Sequence, residues 1–108
     1  MIVNILVKNQ TMYFQDFRNV TYYKAPISLS LNIQFPKEWD SLEKWISFST
    51  SITKVEFKDY KLDGVFNVPE EYIHSPGIAF YCYGVDKVNK DSYCLPTNFL
   101  KIFIKEEM

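Results

Sequence analysis

Alanine is nearly missing from this chain. Only Ala25 and Ala79 occur in 108 residues, whereas a helical domain of that size would draw on alanine heavily, since it is the best helix former. Glycine is scarce as well. Gly64, Gly77 and Gly84 stand alone, which leaves no glycine-rich loop to cradle a phosphate. There is one histidine, His74, and there are two cysteines, Cys82 and Cys94. One imidazole and two thiols without ligand spacing make a poor zinc site, and no motif around either thiol builds a nucleophile–base pair with the histidine. The expectation is therefore a non-enzymatic protein with no metal and no cofactor, and with His74 as a solvent-facing turn residue. Two cysteines are also too few for a disulfide framework. They could meet across a hairpin, but two reduced, partly buried thiols are expected.

Charge of one sign is lacking too. The formal net charge is −1, Arg18 is the sole arginine, and the lysines are scattered singly. A nucleic-acid binder needs clustered cations to displace counterions from phosphates, and a membrane-recruited protein needs a polybasic patch. Neither kind of partner is expected. No run approaches the roughly 20 apolar residues of a membrane span. Met1-Ile2-Val3-Asn4-Ile5-Leu6-Val7 is apolar but short, without a basic leader or a small-residue cleavage site, and reads as a first strand rather than a signal peptide. Asn9-Gln10-Thr11 and Asn19-Val20-Thr21 fit the glycosylation pattern, which has no meaning without secretion.

Aromatic residues are what the chain has in quantity: nine Phe, eight Tyr and two Trp, 18% of the sequence. Flat side chains pack well on a pleated surface, so this composition favours β-structure. The clearest strand spans Ala25 to Phe35. There Ile27, Leu29, Leu31, Ile33 and Phe35 alternate with Ser28, Ser30, Asn32 and Gln34, a period of two with one apolar and one wet face. Pro36, which has no N–H to donate, ends the ladder. Lys37 to Trp45 reads as a helical turn or an irregular corner, in which Asp40 and Lys44 pair if it is helical, and Trp39 with Leu42 plugs one end of the structure. Ile46 and Phe48 follow on one strand face. Val55 and Phe57 are out of phase with Tyr60 and Leu62, which predicts a turn or bulge near Lys58-Asp59. Asp63-Gly64 is a turn signal, and Pro69-Glu70-Glu71-Tyr72-Ile73 is a helical turn with its acids at the positive end. The acidic pair Glu106-Glu107 reads as a solvated tail. In the strand from Ile78 to Val85, Ile78, Phe80 and Cys82 face one way, and Ala79, Tyr81 and Tyr83 the other. The whole chain, 1–108, reads as one all-β domain: an antiparallel β-sandwich of about seven or eight strands with one or two short helical turns.

Trp39, Trp45, Tyr22, Tyr23, Tyr60, Tyr81, Tyr83 and Tyr93 exceed what a small core needs. Tyr81 and Tyr83, on one strand face, are the candidate protein-binding residues. Three readings stay open for that face: cross-strand packing under a loop, a protein interface, or a platform for sugar rings.

The order of the corners carries a resemblance. Asn9-Gln10 is followed by Phe35-Pro36-Lys37-Glu38-Trp39-Asp40-Ser41-Leu42-Glu43-Lys44 and Phe48. Later come Val68-Pro69-Glu70-Glu71-Tyr72-Ile73-His74-Ser75-Pro76-Gly77, then Tyr83-Gly84, then Pro96-Thr97-Asn98. Across nearly the whole chain this resembles the small β-sandwich modules of baseplate, tail and fibre-associated proteins in bacteriophages of Gram-positive hosts. The resemblance implies an immunoglobulin-like virion module that scaffolds or attaches through protein–protein contacts, with a homo-oligomer as one possible form. In larger members the module joins the virion to a distal receptor-binding or coiled-coil part. Here the chain ends at Met108, so the expectation is a small decoration or tail accessory protein located in the virion. The alternative is a phage-encoded inhibitor that binds and blocks a host defence protein in the host cytoplasm during infection.

Overall fold

Alternating apolar side chains need a second surface to close against, and the chain supplies it by forming two β-sheets. The computed structural model describes residues 1–15, 20–49, 57–74, 76–88 and 93–105, with only the backbone course for 93–95. Expectations for Arg18, Asn19, Val55, Ser75, Glu106 and Glu107, and for the side chains of Tyr93 and Cys94, lie outside the described residues.

Within the described residues the strands are β1 (Ile2–Lys8), β2 (Thr11–Phe14), β3 (Val20–Tyr22), β4 (Ser30–Gln34), β5 (Leu42–Ser49), β6 (Phe57–Lys61), β7 (Phe66–Asn67), β8 (Gly77–Asp86), β9 (Tyr93–Pro96) and β10 (Leu100–Ile104). Single 3-10 turns occupy Lys37–Trp39 and Glu70–Tyr72. One sheet has the order β2-β1-β4-β7, the other β3-β10-β8-β5-β6. Strand β8 is ten residues long, so one of its edges serves two neighbours. β10 pairs along Gly77 to Phe80 and β9 along Tyr83 to Val85. The all-β sandwich is as expected, and β7 falls within the short strand expected at Val65-Phe66-Asn67-Val68. There are more strands than seven or eight, and β3, at three residues, is too short to leave a periodic signal. Its ladders are antiparallel except β1·β4 and β3·β10, which are parallel. A period of two is the same in both directions, so the sequence does not distinguish them.

The sheets close on one apolar core. Val3, Ile5 and Val7 of β1, Ile46 and Phe48 of β5, Ile78, Phe80 and Cys82 of β8, and Ile102 and Ile104 of β10 are all buried. Phe48 sits at its centre, with ring centroids 5.3 Å from Phe66, 5.7 Å from Tyr72 and 5.6 Å from Phe80. Trp39 and Leu42 are buried, as the plug reading requires.

The corner motifs act as braces. The Trp39 indole N–H donates to the Asn9 carbonyl at 2.9 Å, tying the first 3-10 turn to the β1–β2 hairpin, where Asn9 takes a left-handed φ of 55°. Thr97 extends the ladder of β8. Its N–H donates to the Cys82 carbonyl at 2.8 Å, and its hydroxyl accepts from the Cys82 N–H at 2.9 Å. Asn98 crosses to the other sheet: its Oδ1 accepts from the Met12 N–H at 2.6 Å and its Nδ2 donates to the Met12 carbonyl at 2.9 Å. A side-chain amide thus stands in for a neighbouring strand at the edge of β2.

Several local expectations change. Ile27 is 99% exposed, because β4 begins only at Ser30 and Ile27 lies before it, outside the sheet. Lys44 lies on β5, so no helical pair with Asp40 forms. Its ammonium sits 5.7 Å from the Phe35 ring centroid instead. No bulge occurs at Lys58-Asp59. Strands β5 and β6 keep one register from Trp45↔Lys61 to Ser49↔Phe57, and the apparent slip arises because Phe57 faces out while Tyr60 faces in. The register shift in the described sheets lies between Tyr83 and Gly84, where β8 meets β9.

Candidate functional site

The outer faces of the two sheets differ in chemistry. On the four-stranded sheet the outer face carries amides and hydroxyls that bond one another: Asn32 Nδ2 donates to Asn4 Oδ1 at 3.0 Å, and Ser30 Oγ to Asn67 Oδ1 at 2.7 Å. That face is largely polar, although Ile2 on it is 66% exposed. On the other sheet, β5, β6 and β8 and the segment before β10 bring five rings together. Trp45 stands opposite Tyr83 in register, with centroids 6.4 Å apart and planes 8° from parallel. Tyr83 is 6.0 Å from Tyr81. Tyr81 is 4.9 Å from Phe99 and 5.9 Å from Phe57. Phe57 and Phe99 are 41% and 51% exposed, large apolar surface to leave in water.

One carboxylate is set into this row and fixed there. Asp59 Oδ1 accepts from Ser47 Oγ at 2.6 Å, and Oδ2 accepts from the Tyr83 hydroxyl at 2.9 Å. Register places Ser47 opposite both Asp59 and Tyr81, so the bonds follow from the pairing. They hold the Tyr83 ring upright, and rings held before binding lose less rotamer entropy on contact. Glu43 accepts from the Trp45 indole N–H at 3.2 Å and lies 3.9 Å from the Lys61 ammonium.

Tyr81 and Tyr83 therefore share the outer face and touch. Trp45 joins them. Tyr22 and Tyr60 pack against the core, and Trp39 is wholly buried. Phe57 and Phe99 are members that sequence reasoning missed. The phase slip at Phe57 was their signal: an aromatic residue on the wet face of an edge strand.

The reactive groups sit elsewhere. Cys82 is buried with its Sγ 3.7 Å from Met12 Sδ, and burial pushes its thiol pKa up, so it stays protonated and unreactive at neutral pH. His74 is exposed and lines an open pocket of about 200 Å³ with Lys58, Glu71 and Tyr72. The phenol there is already engaged, Tyr72 to Tyr60 at 3.0 Å, and desolvation raises its pKa. Among the described residues no group of three or more His, Cys, Asp or Glu is placed to hold a metal ion. No helix among them is long and apolar enough to cross a membrane.

Compared with known proteins, the chain matches no family model, no curated protein and no solved structure.

Proposed function

We propose that this protein is a non-enzymatic docking module that presents the aromatic face of its six-stranded sheet to a protein partner, as a structural or accessory component of a bacteriophage virion. The observation that carries the docking reading is the row Trp45, Tyr83, Tyr81, Phe99 and Phe57, pinned through Asp59 and set opposite a polar outer face. Exposed aromatic clusters of this kind mark binding surfaces, and tyrosine and tryptophan dominate interface energetics. A protein fits better than a glycan. The rings from Tyr83 to Phe57 tilt at 36° to 79° to one another, a stepped surface that suits side-chain knobs, whereas a sugar chain needs ring faces laid flat along a line. The virion setting and the immunoglobulin-like label rest on the resemblance of the corner motifs alone.

The test is mass spectrometry of purified particles from an infected Gram-positive host, with the wild-type chain and with Tyr81→Ala/Tyr83→Ala. The wild type should be present at fixed stoichiometry. The double variant should fold, as read by circular dichroism, yet lose incorporation, with affinity for its virion partner down at least about tenfold. Full incorporation of the folded variant removes the aromatic face from the reading. A wild-type protein absent from particles and held by one host protein replaces the virion role with the inhibitor role.

A further inference from the structure

Each sheet of a sandwich ends in edges that carry unpaired backbone groups, and proteins protect such edges. At β2, both backbone groups of Met12 are taken by Asn98. Strand β7 has two residues and β3 three. Strand β6 is different: five residues, Phe-Lys-Asp-Tyr-Lys, with a ladder partner on one side only among the described residues. The Leu62 N–H donates to the Lys44 carbonyl at 2.8 Å, which sets the phase of that ladder. Leu62, Tyr60 and Lys58 turn their backbone groups toward β5, so those of Phe57, Asp59 and Lys61 turn outward.

We propose that β6 pairs antiparallel with β6 of a second copy of this chain, about a two-fold axis at Tyr60. Outward-turned residues must face each other, so the axis falls on a residue and few registers exist. Centred on Lys58, the pairing opposes two lysines. Centred on Asp59, it opposes two aspartates. Centred on Lys61, it opposes two lysines and sets Asp59 against Asp63. Centred on Tyr60, Asp59 faces the second copy's Lys61 and Lys61 its Asp59, with no like pair opposed, and about four backbone hydrogen bonds form. Of the registers centred on Lys58, Asp59, Tyr60 and Lys61 of β6, the Tyr60 register alone is self-complementary in charge. The Lys61 side chain is 60% exposed and, among the described residues, its ion pair to give up is the 3.9 Å contact with Glu43. The two sheets become continuous with both aromatic rows on one side. The dimer thus leaves the docking face open and does not depend on what that face binds.

The experiment is sedimentation equilibrium of the full chain up to about 0.1 mM, where even a weak specific contact is populated, with Asp59→Lys, with Lys61→Glu, and with their equimolar mixture. The wild type should dimerise, less tightly at high salt. Each variant alone opposes like charges at both pairs, and its dissociation constant should rise about tenfold to a hundredfold. The mixture should restore a dimer, because every introduced charge then faces its opposite. Should Asp59→Lys fail to fold after losing its bonds from Ser47 and Tyr83, Lys61→Glu carries the test. A wild type that stays monomeric, or a dimer indifferent to Lys61→Glu, overturns the proposal.

Discussion

Replacing Asn98 with alanine removes the clamp that joins the two sheets at the β2 edge. Met12 and Asn98 are 86 positions apart, so the clamp forms only when the fold is complete and its loss falls wholly on the native state. Two hydrogen bonds are lost, each contributing about 1 kcal/mol net. The Met12 N–H and carbonyl beneath them are partly buried and recover only some of that from water. The expected loss is about 2 kcal/mol, within a range of about 1–3. For a domain of about 100 residues, 1 kcal/mol moves Tm by roughly 4–8 °C, so Tm should fall by roughly 8–16 °C. The assay is urea unfolding followed by tryptophan fluorescence, with a thermal melt by circular dichroism alongside. Asn32→Ala is the control. It removes a similar amide bond, to Asn4, but an exposed one, and it should cost less than about 0.5 kcal/mol. If Asn98→Ala also costs less than that, the amide does not brace the edge and the reasoning fails.

Two further predictions concern backbone and burial. Gly77 takes φ 130°, and a Cβ there would overlap the Ile102 carbonyl oxygen, so Gly77→Ala should lose more than about 3 kcal/mol in the same assay, whereas Gly64→Ala, left-handed but facing open space, should lose only about 1; equal losses would refute the steric part. The Tyr72 phenol has its pKa raised above the ordinary 10.0, chiefly by burial and then by its hydrogen bond with Tyr60. Between the unfolded and the folded pKa the unfolded chain gives up a proton that the native one keeps. Stability should therefore be full below about pH 10 and fall above it, by up to about 1.4 kcal/mol per pH unit. Unfolding midpoints for wild type and Tyr72→Phe across that window measure it: the variant should show a shallower decline, and parallel slopes would refute the assignment.

The sequence by itself determined the class of the molecule and much of its core. Alternation put Leu29 and Leu31, Ile46 and Phe48, and Ile78, Phe80 and Cys82 inside, because a strand has two faces and the apolar one must leave water. Proline, Asp63-Gly64 and the Trp39 corner placed turns, since their constraints act within a few residues of themselves. Tyr81 and Tyr83 were legible as a pair on one face for the same local reason. What only the tertiary structure decided is non-local. It set the parallel pairing of β1 with β4 and of β3 with β10, the bridge from Asn98 to Met12, and the exposure of Ile27, whose alternation fits a strand that does not form there. It also joined Trp45, Phe57 and Phe99 to Tyr81 and Tyr83, and left β6 as a charged edge. A pattern of period two fixes which way a side chain points relative to its own strand. Which strand lies beside it depends on contacts between residues far apart in the chain, and it is those contacts that turned scattered rings into one face.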